Sequence, residues 1–155
     1  MIGFFRELFG IRKVGTLAEL REYIGAGRVC ALANWIDWRI KYAKDKGPED
    51  EWLPAGVTIA RGEGDCEDKA IVAWEVIRTW PGWSAWLMRL ERDNPDKKSG
   101  MDAHAVCVFE TPDGQRGVMD GRAHVYPNKT AWGSIFKDIG NWQRSFFVTE
   151  KGQKI

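Results

Sequence analysis

The run Gly62-Glu63-Gly64-Asp65-Cys66-Glu67-Asp68-Lys69-Ala70 places a thiol where an expected helix begins, behind glycines that let other atoms approach. A helix N-terminus carries roughly half a positive charge and unpaired amides, which favour a thiolate and lower a cysteine pKa. The Cys66 amide could also donate to a developing oxyanion. A cysteine alone is ordinary core material, so chemistry here depends on partners. The chain has 2 histidines, and His104 falls in an expected strand where it shares a face with Val106 and Val108. The next strand closes at Asp120. If Pro112-Asp113-Gly114 form a three-residue loop with Gly114 left-handed, Thr111 pairs with Gln115. Asp120 then lies opposite Val106, one diagonal step from His104 and on its face. A two-residue loop would turn Asp120 to the other side. With the first loop, Cys66 is the nucleophile and His104 takes its proton and returns it to the leaving group. Asp120 holds the imidazole in its tautomer.

The elements that must carry these groups follow from periodicity. Thr16-Leu17-Ala18-Glu19 reads as a capping box, with Glu19 reaching back to the Thr16 amide, and opens a short helix ending near Gly25. A longer helix is expected over 27–46, with Val29, Leu32, Ala33, Ile36 and Ile40 on one face and Gly47-Pro48 after it. Residues 49–64, with one proline and three glycines, read as loop. Asp65 caps a second strong helix, whose apolar face includes Ala70, Ile71, Ala73, Trp74 and Ile77 and which Pro81-Gly82 stops. The period then changes from 3.6 to 2, with strands expected over 83–90, 103–110, 115–120 and 145–149 and a charged loop over 91–100. Helices first and an antiparallel sheet afterwards make one α+β domain over 1–155.

Composition narrows the classes. The chain has 155 residues, 44% of them hydrophobic, and a mean hydropathy of −0.40, enough apolar material for one core. With 23 Lys+Arg against 22 Asp+Glu, no charge excess suits it to nucleic acid. Three cysteines give no disulfide framework, so a reducing compartment is expected. No stretch approaches the ~20 apolar residues of a membrane span, and the start does not read as a signal peptide. A cytoplasmic location follows. Residues 1–14, with Phe4, Phe5, Leu8 and Phe9, read as an amphipathic helix that packs on the body or on a partner. His104-x-x-Cys107 has the sequence spacing of a zinc pair, but on a strand the two point to opposite faces. His124 reads as a surface histidine, and Cys30 and Cys107 as core thiols. The nine tryptophans read as core or groove wall. Asn34 is one polar candidate for the second oxyanion donor.

The run Trp52-Leu53-Pro54, then Gly62-x-Gly64-Asp65-Cys66-Glu67-Asp68-x-Ala70, then His104 opening an apolar strand and Asp120 closing the next, resembles the bacterial transglutaminase-like cysteine proteinases. These belong to the wider transglutaminase-like, papain-type superfamily. The resemblance covers about residues 52–121. It implies a papain-like fold in which a central Cys-bearing helix packs on an antiparallel sheet, with Cys66, His104 and Asp120 as triad and Trp52 near the nucleophile. It implies a peptide or protein substrate, and either hydrolysis of an amide or isopeptide bond through a thioester or acyl transfer to an amine. Some relatives bind calcium at this acidic stretch, which makes Asp65, Glu67 and Asp68 candidate ligands, although capping and the helix dipole also account for acids in a first turn. The triad itself requires no cofactor. The chain departs from periplasmic relatives in lacking a secretion signal, which leaves the substrate open. The rival from another class is a catalytically silent module whose tryptophan-lined groove holds a peptide or glycan.

Overall fold

The computed structural model describes residues 11–47, 51–128 and 130–155. The helix expected over 1–14 lies mostly outside these, and 11–14 are not helical. Helix α1 spans Leu17–Ile24, with the Thr16 hydroxyl accepting from the Glu19 amide at 3.2 Å. Glu19 accepts from the Gly15 amide at 2.9 Å instead of the Thr16 amide. Helix α2 spans Val29–Arg39 and stops well short of residue 46. There the buried Ile40 turns extended, and β1 (Lys41–Tyr42) leaves to pair in parallel with β2 (Glu63–Gly64). The stretch expected to be loop contains α3 (Ala55–Arg61), whose Ala55, Thr58 and Ile59 are buried. Gly56, with Pro54 and Gly62 at its ends, hid a seven-residue helix too short to stand without tertiary burial.

Helix α4 spans Cys66–Ile77. The Asp65 side chain accepts from the Asp68 amide and the Asp68 side chain from the Asp65 amide, so the capping box fixes Cys66 as the first helical residue. The strands are β3 (Ser84–Asp93), β4 (Met101–Glu110), β5 (Arg116–Asp120), β6 (Arg122–Tyr126) and β7 (Arg144–Val148), with α5 (Trp132–Gly140) before the last. They form one antiparallel sheet in the order β6-β5-β4-β3-β7. The described chain is thus α+β, with five helices. None of its helices is long and apolar enough to cross a membrane.

Alternation along β4 divides the core. Ala105, Cys107 and Phe109 join the cluster built with α1–α4, while Val106 and Val108 join Ile135 and Phe136 of α5 on the other face. The 111–115 turn has the three-residue form: the Thr111 amide donates to the Gln115 carbonyl at 2.9 Å, and Gly114 has φ +83°. The β4–β5 register runs from Glu110 opposite Arg116 to Cys107 opposite Met119. One step further sets Asp120 against Val106. Gly117 holds this pair close, since a Cβ there would lie 2.1 Å from the fully buried Phe109 ring. Gly117→Ala is therefore expected to cost about 1–3 kcal/mol through overpacking, measured by urea unfolding. Wild-type stability in that variant would show that the strands have slack at this point.

Candidate active site

Each candidate side chain is held by a different element. The capping box places Cys66 at the start of α4, where its amide has no carbonyl of its own helix to bond. Strand β4 carries His104, and Asp120 ends β5 before the left-handed Gly121 (φ +67°). Cys66, His104 and Asp120 line one cleft of ≈ 190 Å³, and Cys66 and His104 also line a smaller hollow with Trp52 and Glu67. Trp52 thus lines the same small hollow as the thiol.

His104 Nε2 and Asp120 Oδ1 lie 2.8 Å apart, with both side chains mostly buried. The hydrogen bond from His104 holds the Asp120 carboxyl below its ordinary value, against the opposing effect of burial. A carboxylate accepts only, so Nε2 donates and Nδ1 is the ring nitrogen left for another partner. The Trp142 ring stacks on the imidazole, centroids 5.6 Å apart and planes 15° from parallel, and the Arg92 guanidinium lies 4.6 Å from the Trp142 centroid. Sequence periodicity gave no sign of Trp142, which sits outside any element between α5 and β7. The strand it precedes, β7, pairs with β3 and not with the histidine strand β4, so no local pattern joins Trp142 to His104. His124, on β6, is half-buried and near enough for its charge to help lower Asp120.

The thiol differs from expectation. Cys66 Sγ donates to Glu67 Oε2 at 2.9 Å. Burial first, then this hydrogen bond and the Glu67 charge, push the thiol up to about 12. The Ala105 amide acts in the opposite sense but does not outweigh them. The helix terminus therefore does not yield a resting thiolate here. Charge next to the sulfur, in a half-buried place, outweighs a partial charge spread over a turn.

Three further expectations are corrected. Asn34 is exposed on α2 and lines a different cleft, with Tyr23, Arg28 and Trp38, while its neighbours Ala33, Ile36 and Asp37 face Cys66. One residue step of 100° along the helix separates the two faces. Asp68 is not among the acids whose oxygens converge, because its Oδ1 accepts from the Leu53 amide at 2.9 Å and its Oδ2 serves the cap. Asp45 takes its place. Oxygens of Asp45, Asp65 and Glu67 lie within 4.8 Å of one another, a hard-oxygen set of the kind that suits calcium. Burial and the charges of Glu67 and Asp68 push the Asp65 carboxyl up to about 7, so a cation would have protons to displace there. Cys30 is exposed, against expectation, and Cys107 is fully buried on the face of β4 opposite His104.

Fold and site together define an α+β protein with a cysteine, a histidine and an aspartate at one cleft. No protein-family model matches the chain, and no curated protein matches it significantly.

Two outcomes follow from the electrostatics. Because the Asp120 carboxyl is held low in the folded state, its contribution to stability is present above the ordinary Asp value of about 3.9 and is lost as pH falls through the folded value. Asp120→Asn is expected to be less stable than wild type at pH 6, with the gap closing below pH ~4. Urea midpoints across that range measure it, and a gap that does not vary with pH would remove the His104 bond as its source. Glu67→Gln removes the charge that holds the thiol proton. Iodoacetamide at pH 8 is expected to alkylate Cys66 faster in this variant, with exposed Cys30 as internal control. An unchanged ratio would mean that burial alone sets the thiol.

Proposed function

We propose that the protein is a cysteine hydrolase with the papain-like fold of the transglutaminase-like proteinases, acting on a peptide or isopeptide amide bond. The observation that carries this reading is the 2.8 Å His104–Asp120 hydrogen bond beside the cleft that Cys66 shares. Asp120 on Nε2 fixes the tautomer whose free Nδ1 can act as base. Cys66 gives its proton to that nitrogen, and the sulfur attacks the carbonyl carbon. The first-turn amide of α4 receives the oxyanion, and the imidazolium protonates the leaving amine as the thioester forms. Water then attacks the thioester, with His104 as base, and releases the acid and the free thiol. An amine in place of water would give acyl transfer on the same residues. The reaction needs the thiol to exchange its hydrogen bond to Glu67 for one to His104.

A second reading is favoured by one observation: the thiol bonded to Glu67 and pushed up to about 12 suits a silent groove that only binds a peptide or glycan. On either reading Asp45, Asp65 and Glu67 would hold a calcium ion where one is bound, adding positive charge beside the cleft. A location in the cytoplasm and a peptide or protein partner remain part of the proposal. The test is turnover of a mixed fluorogenic peptide library. Cys66→Ala is expected to reduce it to background, and His104→Ala by about 10²–10⁴-fold, the usual worth of a positioned acid–base. Turnover retained in Cys66→Ala would end the hydrolase reading. Peptide binding without turnover in wild type, unaffected by Cys66→Ala, would establish the module.

A further inference from the structure

We propose that the trough between α2 and α4 beside Cys66 is the subsite for one apolar side chain of the substrate, of about leucine or methionine size. The substrate class is then a peptide carrying such a residue next to the bond attacked. This rests on Cys66 being the nucleophile.

The two helices present matching faces. Ala33 and Ile36 stand one turn apart on α2, and Cys66 and Ala70 one turn apart on α4, with Ala105 and Met119 closing the end. Three of these six are alanines, each largely buried: Ala33 at 3%, Ala70 at 4% and Ala105 at 7% exposure. The hollow exists because those side chains stop at Cβ, and a leucine at any of them would fill it. The whole cleft, with His104, Asp120 and Gly121 included, measures ≈ 190 Å³, small beside the roughly 300–1,000 Å³ of sites that enclose whole small molecules, so it has room for a single side chain. The hollow on the other side of Cys66, against Trp52 and Arg89, offers only ≈ 40 Å³. Of these two hollows beside the sulfur, the alanine-lined one has the room for substrate bulk. At the mouth, Asp37 on α2 and Lys69 on α4 carry opposite charges, and Tyr42 is 67% exposed. The rim thus carries no net charge to attract a charged side chain of either sign, and the alanine, isoleucine and methionine part of the lining offers it no partner, while His104 and Asp120 at the other end of the cleft are bonded to each other. Burying a carboxylate or ammonium unpaired against that apolar part would cost far more than burying an apolar group gains.

The experiment uses N-acetyl-Leu, N-acetyl-Gly and N-acetyl-Asp chloromethyl ketones on the full chain, reading alkylation of Cys66 by peptide mass spectrometry. Rates are normalised to iodoacetamide, which needs no subsite. The Leu probe is expected to exceed the Gly and Asp probes by at least about tenfold, the scale on which apolar pockets discriminate. Ala33→Leu is expected to erase that preference, and Ile36→Ala to move it toward a Phe probe, each rate being normalised to that variant's own iodoacetamide rate. Equal normalised rates for the three probes, or a ranking that neither variant alters, would overturn the subsite and leave the nucleophile standing. Iodoacetamide labelling of Cys66 that is unchanged by His104→Ala, together with no turnover in the library, would bring down the catalytic reading and the subsite with it.

Discussion

The hydrogen bond between His104 and Asp120 depends on a parity condition. Side chains on a strand alternate with a period of 2, so a shift of one residue between β4 and β5 would carry Asp120 to the far face of the sheet. What prevents the shift is the loop from Thr111 to Gln115, closed by two backbone hydrogen bonds and by a left-handed Gly114. Gly117 then lets the Phe109 ring lie against β5 with no Cβ between them. The imidazole's tautomer is thus decided ten residues away, by turn chemistry and one missing methyl group. The bond itself is short and charge-assisted, and with Trp142 stacked on the ring it leaves the imidazole little freedom to tilt.

At Cys66 two electrostatic influences oppose each other. The start of α4 favours negative charge, and the capping box that fixes that start does so with carboxylates. The residues that make the helix begin at Cys66 therefore also surround its sulfur with acid. Glu67 wins locally because it is in hydrogen-bond contact and the sulfur is partly desolvated, whereas the dipole acts through distributed partial charges. The resting thiol is consequently protonated, and any nucleophilic role requires a proton path to the histidine. Asp65, held up by the same neighbours, belongs to the same accumulation of acid.

The sheet separates the site's supporting structure into two sides. Helix α4 and its alanine-lined trough lie over Ala105 and Cys107, while α5 and the segment with Trp142 lie on the other face, with Val106 and Val108. His104 and Ala105 are adjacent on β4 and point to opposite faces, yet both line the cleft at Cys66. The cleft opens where β5 ends at Asp120 and the chain turns at Gly121 into β6. Chemistry and the apolar hollow can therefore adjoin without sharing a core.

Local sequence determined the parts whose causes are local. Thr16 and Asp65 cap helices because their side chains satisfy amides three residues on, and Pro112-Asp113-Gly114 fixes a turn because glycine accepts a positive φ. From these came the order Cys66, His104, Asp120 and, on condition of a three-residue loop, the shared face of the last two; the structure supplies that loop. Helix α3, the early end of α2 and the β1–β2 pair could not be derived, because burial against α4 and pairing between distant segments stabilise them and no local pattern does. Nor could the exchange of Asp68 for Asp45 among the converging acids, the turning of Asn34 away from the cleft, or the stacking of Trp142 on His104. Each depends on which residues a packed neighbour has already occupied. The sequence decided which groups could react, and only the tertiary structure decided that Glu67 holds the thiol proton, because hydrogen bonding and desolvation depend on distances that the chain acquires on folding.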